Sequence, residues 1–192
     1  MNETETYKKL KNKPKDNNVE WLIIHHSGGT NANPLTDTSN HTAQMMEAWH
    51  LLKGWEGLGY HYVIHKDGAI WAGRPEHRNG AHTVGYNERS IGICMSGNFD
   101  LTRPTLPQIN SLKSLLIDLT KRYNLNPIKI VPHRLFATKT CYGKNLTNDW
   151  ARNLLDIKLD EKLDAICETE KKEINSLKKV INDLYRYIIG RN

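Results

Sequence analysis

VPHRLFATKTC, residues 131–141, puts a histidine, a lysine and a cysteine on one short irregular segment behind an apolar run. Imidazole and thiolate are common zinc ligands, and a catalytic zinc keeps three protein ligands and leaves its fourth position to water. His133 and Cys141 read as half of such a site, with Lys139 pointing at the same metal from between them. The other half is expected from IIHHS, residues 23–27, where His25 closes an apolar run. Two histidines and one cysteine satisfy the ligand count. The spacing alone, seven residues between histidine and cysteine, is neither a zinc-finger knuckle nor a HExxH helix.

Working outward from these two stretches, Trp21 to Ile24 is continuously apolar, as in a strand covered on both faces. The next residues, 27–40, are rich in glycine, asparagine, serine and threonine, which is loop composition. From His41 to Trp55, Ala43, Met46, Trp49 and Leu51 or Leu52 recur at helical spacing and predict a core-facing helix. Tyr60 to Ile64 alternates like a strand, Asp67-Gly68 signals a hairpin, and Ala69 to Ala72 is the returning strand. Ser90 to Met95 predicts another strand, ended by Gly97. Thr105 then caps a long helix with Leu106, Ile109, Leu112, Leu116, Leu119 and Tyr123 on one stripe. A last short strand, Ile128 to Val131, delivers His133. Interleaved strands and helices with one inserted hairpin predict an α/β fold: a mixed central β-sheet flanked by helices, with a C-terminal helical extension.

A chain of 192 residues holds one ordinary domain plus an appendage. The boundaries expected are a flexible N-terminal arm over 1–18, a catalytic domain over 19–155 and an amphipathic tail over 156–192. The content, 38% hydrophobic and 25% charged, is that of a globular protein, and no stretch approaches the ~18 apolar residues of a membrane span. A net charge of +6 favours a polyanionic target, whether nucleic acid, anionic membrane or bacterial wall. No helix-turn-helix, zinc-finger or aromatic-basic sheet signature supports nucleic acid, so none is expected as partner. The polar N-terminus has no apolar signal core, which predicts synthesis in the cytoplasm without a signal peptide. Three cysteines without close pairs argue against a disulfide framework, and Cys94 and Cys167 read as unreactive thiols.

The segment around His133 resembles the zinc-dependent N-acetylmuramoyl-L-alanine amidases of type 2, the group that includes phage lysozyme-amidases and animal peptidoglycan recognition proteins. The resemblance continues through GLGYHYVIHKDG (57–68), AGR (72–74), GAHTVGYNERSIGICMSGNFD (80–100) and PQINSLKSLLIDLTKRYN (107–124), and spans residues 19–155 in the same order. It implies one Zn2+ per chain on His25, His133 and Cys141, with His26 structural. It also implies catalytic roles for Lys139, an ammonium aimed at the developing oxyanion, and for Tyr60, whose hydroxyl would orient water or pass a proton. His82 and Tyr86 match a segment that lines the family's substrate cleft, and Arg74 would meet a stem-peptide carboxylate of the substrate through its planar fork. One departure stands out, because Tyr142-Gly143 follows the cysteine where many members carry proline and glycine. The activity implied is hydrolysis of the amide between N-acetylmuramic acid and the L-alanine of the stem peptide, in the setting of a phage endolysin that acts on the wall after release. A non-catalytic peptidoglycan-binding protein of the same fold is the alternative.

The tail carries Leu159, Leu163, Ile166, Ile174, Leu177, Ile181, Leu184 and Ile188 at spacings mostly of three and four, with no glycine or proline before Gly190. This predicts a helix from about 157 to 189 whose stripe packs against a second copy, its own domain or a membrane. Acidic residues in its first half and basic ones in its second suit antiparallel pairing, hence a possible homo-oligomer.

Overall fold

The structure, a computed structural model, describes residues 19–29, 32–156 and 170–181. Five strands form one sheet: β1 (Trp21–His26), β2 (Tyr62–Ile64), β3 (Ile70–Ala72), β4 (Ser90–Met95) and β5 (Ile130–Pro132), in the order β3-β2-β4-β1-β5. The β2-β3 hairpin is antiparallel, whereas β2-β4, β4-β1 and β1-β5 are parallel. The helices are α1 (Ala43–Leu52), α2 (Leu106–Arg122) and α3 (Trp150–Asn153). Residues 1–155 cluster as one unit and 156–192 as another.

Alternation along β1 assigns the two faces of the sheet. Leu22 and Ile24, fully buried, join Ile91, Ile93 and Met95 of β4 and Leu112, Leu115, Leu116 and Leu119 of α2 in the larger core. Each such side chain contributes roughly 1.5–3 kcal/mol on burial. Helix α2 begins at a capping box in which Thr105 and Gln108 satisfy each other's main-chain N–H groups, as its sequence signature requires. The opposite face carries a smaller cluster of Ala43 and Met46 from α1 with Leu58, Val63 and Cys94. His25 belongs to this second face, two residues beyond Ile23.

Several expectations need correction. Helix α1 buries only Ala43 and Met46, while Trp49, Leu51 and Leu52 are exposed, Leu52 at 85%. The helix crosses the sheet by its first turns alone. On α2 the buried stripe includes Leu115, while Leu106 in the first turn faces solvent. Tyr60 precedes β2 rather than opening it, and Ile128 lies in a 3-10 turn before β5. Of the predicted tail helix, residues 170–181 are helical with Ile174, Leu177 and Ile181 exposed. The remainder, with Cys167, and the arm over 1–18 lie outside the described residues.

Candidate metal centre

Adjacent parallel strands end side by side, so β1 and β5 deliver His25 and His133 to the same edge of the sheet. That edge, beyond the carboxyl ends of parallel strands, is where α/β sheets generally form their sites. Cys141 returns to it through a loop that is closely held. The Cys141 carbonyl accepts from Arg134 N at 2.6 Å, and the Arg134 guanidinium donates to the carbonyls of Gly143 at 2.8 Å and Leu146 at 2.5 Å and to Asn148 Oδ1 at 2.6 Å. Asp100 accepts from Thr140 Oγ1 at 2.6 Å and Lys144 N at 2.7 Å. Tyr142, in the place where proline was the expected neighbour, is fully buried and donates its hydroxyl to the Thr147 carbonyl at 2.8 Å.

The donor atoms of His25, His133 and Cys141 all lie within 4.8 Å of one another. His25 Nδ1 is 3.7 Å from Cys141 Sγ, and the His25 and His133 rings are 4.4 Å apart between centroids. Burial, followed by the neighbouring His82 and His133, holds the His25 pKa well below its ordinary value, and burial and then Lys139 lower that of His133. Both imidazoles are therefore neutral at neutral pH and keep a lone pair for a metal. Burial pushes the Cys141 thiol up to about 12, opposed by the His26 N–H, which donates to Sγ at 3.4 Å, and by Lys139. A set of two imidazoles and one thiol with converging donor atoms can hold a metal ion.

These residues line a cavity of about 700 Å³ together with Tyr60, His82 and Lys139. The Tyr60 ring lies 5.1 Å from that of His25, and burial, then the Cys94 and Cys141 thiols, raise its pKa well above the ordinary value. It is a neutral phenol, able to donate a proton. Lys139 is exposed, yet its charge is felt by both His133 and Cys141. His26 also lines the cavity, and its Nδ1 is taken up by Phe99 N, which donates to it at 2.9 Å. A side cavity of about 290 Å³ opens beside the first, between the loop after β1 and the exposed flank of α1 at Trp49 and Lys53. Among the described residues His41 Nδ1, on its wall, is the one buried side-chain polar atom without a partner.

Two residues expected in the cleft are placed differently. Arg74 does not line the cavity, since Nε and Nη1 donate to the carbonyls of Leu58 at 2.9 Å and Asn79 at 2.8 Å. Its planar fork holds two loops together. Tyr86 stacks on Phe136 at 3.8 Å between centroids and also lies outside the cavity lining. Sequence reasoning passed over Arg134, Asp100 and His50. The first is adjacent in sequence to His133, which was the available signal.

Comparison with known proteins decides the family. Residues 15–144 match the model of the family described as N-acetylmuramoyl-L-alanine amidase. The chain belongs to this amidase family. Among its relatives is the endolysin of Escherichia phage T7, 38% identical over 112 residues that cover 56% of this chain and 73% of the phage protein. The peptidoglycan-recognition protein SC2 of Drosophila melanogaster is 32% identical over 138 residues, 69% of this chain and 73% of that protein. Among solved structures, the endolysin amidase LysCS from Clostridium intestinale superposes with a TM-score of 0.63 at 32% identity, covering 73% of this chain and 85% of that one. The family match thus includes all three residues of the candidate centre.

Proposed function

We propose that this amidase is a peptidoglycan hydrolase of the phage endolysin kind, which cuts the amide between N-acetylmuramic acid and L-alanine with zinc held by His25, His133 and Cys141. The observation that carries the reading is the convergence of these three donors on the floor of a cavity walled by Tyr60 and Lys139. Zinc fits the donor set, because tetrahedral bonds of ~2.0–2.1 Å to nitrogen and ~2.3 Å to sulfur place two such ligand atoms about 3.5 Å apart. The 3.7 Å between His25 Nδ1 and Cys141 Sγ agrees with that separation. When bound, zinc supplies Lewis acidity to the scissile carbonyl and lowers the pKa of water to near 7.

The chain's own groups account for the rest. The Lys139 ammonium offers a fixed positive charge where the carbonyl oxygen becomes an oxyanion. The protonated Tyr60 hydroxyl orients the nucleophile or passes a proton to the leaving amine. The charged cavity rim, with Lys53 and Lys139, suits an anionic wall polymer. The non-catalytic alternative is disfavoured because all five positions, the three ligands with Tyr60 and Lys139, are present together. The products test the reading. Purified peptidoglycan digested with the full chain is expected to gain free L-alanine amino termini and no new reducing sugar ends, as read by mass spectrometry. Chelation should stop the reaction and Zn2+ restore it. New reducing ends without free alanine, or full activity without metal, would overturn it.

A further inference from the structure

His82 matches a segment expected to touch substrate, but its surroundings aim it at the metal centre instead. Its Nδ1 lies 3.1 Å from Nε2 of His25, whose other nitrogen faces Cys141. The ring is seated in a slot that two glycines clear, since a Cβ at Gly80 or at Gly92 would come within 2.4 Å of His82 Cδ2. Gly92 lies on β4 directly beside Ile23 of β1, so the slot is built into the sheet two pairs before His25 itself. The main chain is fixed as well: Asn87 Oδ1 accepts from both His82 N and Thr83 N at 2.8 Å.

One set of proton positions satisfies all the partners named here. Ser90 donates its hydroxyl to the Tyr86 carbonyl at 2.6 Å, which leaves its oxygen to accept from His82 Nε2–H at 3.4 Å. His82 Nδ1 is then an acceptor, met by Nε2–H of His25 and by the Thr83 hydroxyl at 2.9 Å. Thr83 Oγ1 is 3.5 Å from the same His25 nitrogen and closes a triangle around its proton. A ligand histidine whose far nitrogen is held in this way has one tautomer and one ring orientation.

We propose that His82 is a positioning residue: by accepting the Nε2 proton of His25, it keeps the Nδ1 lone pair of His25 turned to the metal. The proposal rests on the metal-centre reading and reassigns His82 from substrate contact to support of a ligand. Its test uses the zinc-loaded full chain without substrate, so the outcome is separate from amidase activity. Imidazole 15N spectra should find His25 protonated at Nε2, and a proton on Nδ1 would overturn the proposal without any variant. In competition with a zinc chelator, His82→Ala should bind zinc ~10–100-fold more weakly, the usual cost of losing such a partner. His82→Asn, whose Oδ1 falls where Nδ1 was, should recover most of that loss and keep the wild-type absorption spectrum of the cobalt-substituted protein. If His82→Ala does not fold, His82→Leu fills the slot without an acceptor and takes its place. A folded variant lacking the acceptor that binds zinc as tightly as wild type would overturn the proposal and return His82 to the substrate.

Discussion

The two faces of the central sheet come from the same strands and serve opposite ends. Towards α2, β1 presents Leu22 and Ile24 to a dry core of leucines. Towards α1 it presents Ile23 and then His25, surrounded by Cys94, Tyr60, His82 and His133. Even Glu76, a buried carboxylate on the α2 side, is fully engaged, because it accepts from Tyr62, Tyr123 and Arg122, the last at 2.6 and 2.7 Å. The site face has weaker cover, with α1 contributing two buried residues and leaving its far half in solvent. One face of the sheet carries most of the burial energy, so the other is free to expose polar groups at its edge.

That division can be broken from either side. Leu115→Ala, in the middle of the α2 face and fully buried, should cost about 2–5 kcal/mol by the usual penalty of a truncated core leucine. Urea unfolding measures this, and below the transition zinc content and turnover should match wild type. Zinc loss in the folded variant would mean that the two faces are coupled. Lys139→Ala makes the converse cut. The side chain is exposed, so stability should hold while turnover drops ~100-fold, the scale of a lost oxyanion donor. If zinc leaves with it, Lys139 supports the ligands rather than the transition state.

The smallest effect sharpens the boundary between the faces. His50 Nδ1 accepts from Gly59 N at 3.0 Å, and burial, followed by the charges of Lys53 and Arg74, lowers its pKa from an ordinary 6.5 to about 4. Protonation thus favours the unfolded chain. The contribution is complete above 6.5 and is lost as pH falls from there towards 4. Thermal melts should show Tm declining over that window, and His50→Asn should flatten part of the slope. An unchanged slope would assign the acid sensitivity to other groups.

Much of this was legible in the sequence where local pattern and tertiary role coincide. The continuous apolar runs of β1 and β4 and the cap at Thr105 needed no distant partner to be read. Helix α1 misled because Trp49, Leu51 and Leu52 carry the right period yet line a cavity rim and open solvent. Arg74 and Tyr86 were read as substrate contacts because nothing local reveals that Leu58, Asn79 and Phe136 stand beside them. The pairing of His25 with His82 spans 57 residues and depends on a slot that two glycines open. No spacing rule encodes such a contact.

The loop held by Arg134 also reaches past the end of the family match. The family match stops at residue 144, and a chain ended there would retain every residue assigned a catalytic or ligand role. It would lose Leu146 and Asn148, which Arg134 grips, and Thr147, which Tyr142 grips. Trp150 of α3, against the Tyr142 ring at 5.7 Å, would go with them. Cys141 would then rest on the holds that remain, those of Arg134 on Cys141 and Gly143 and of Asp100 on Thr140 and Lys144. The contacts that hold the last candidate ligand in place thus run past the family match as far as Trp150.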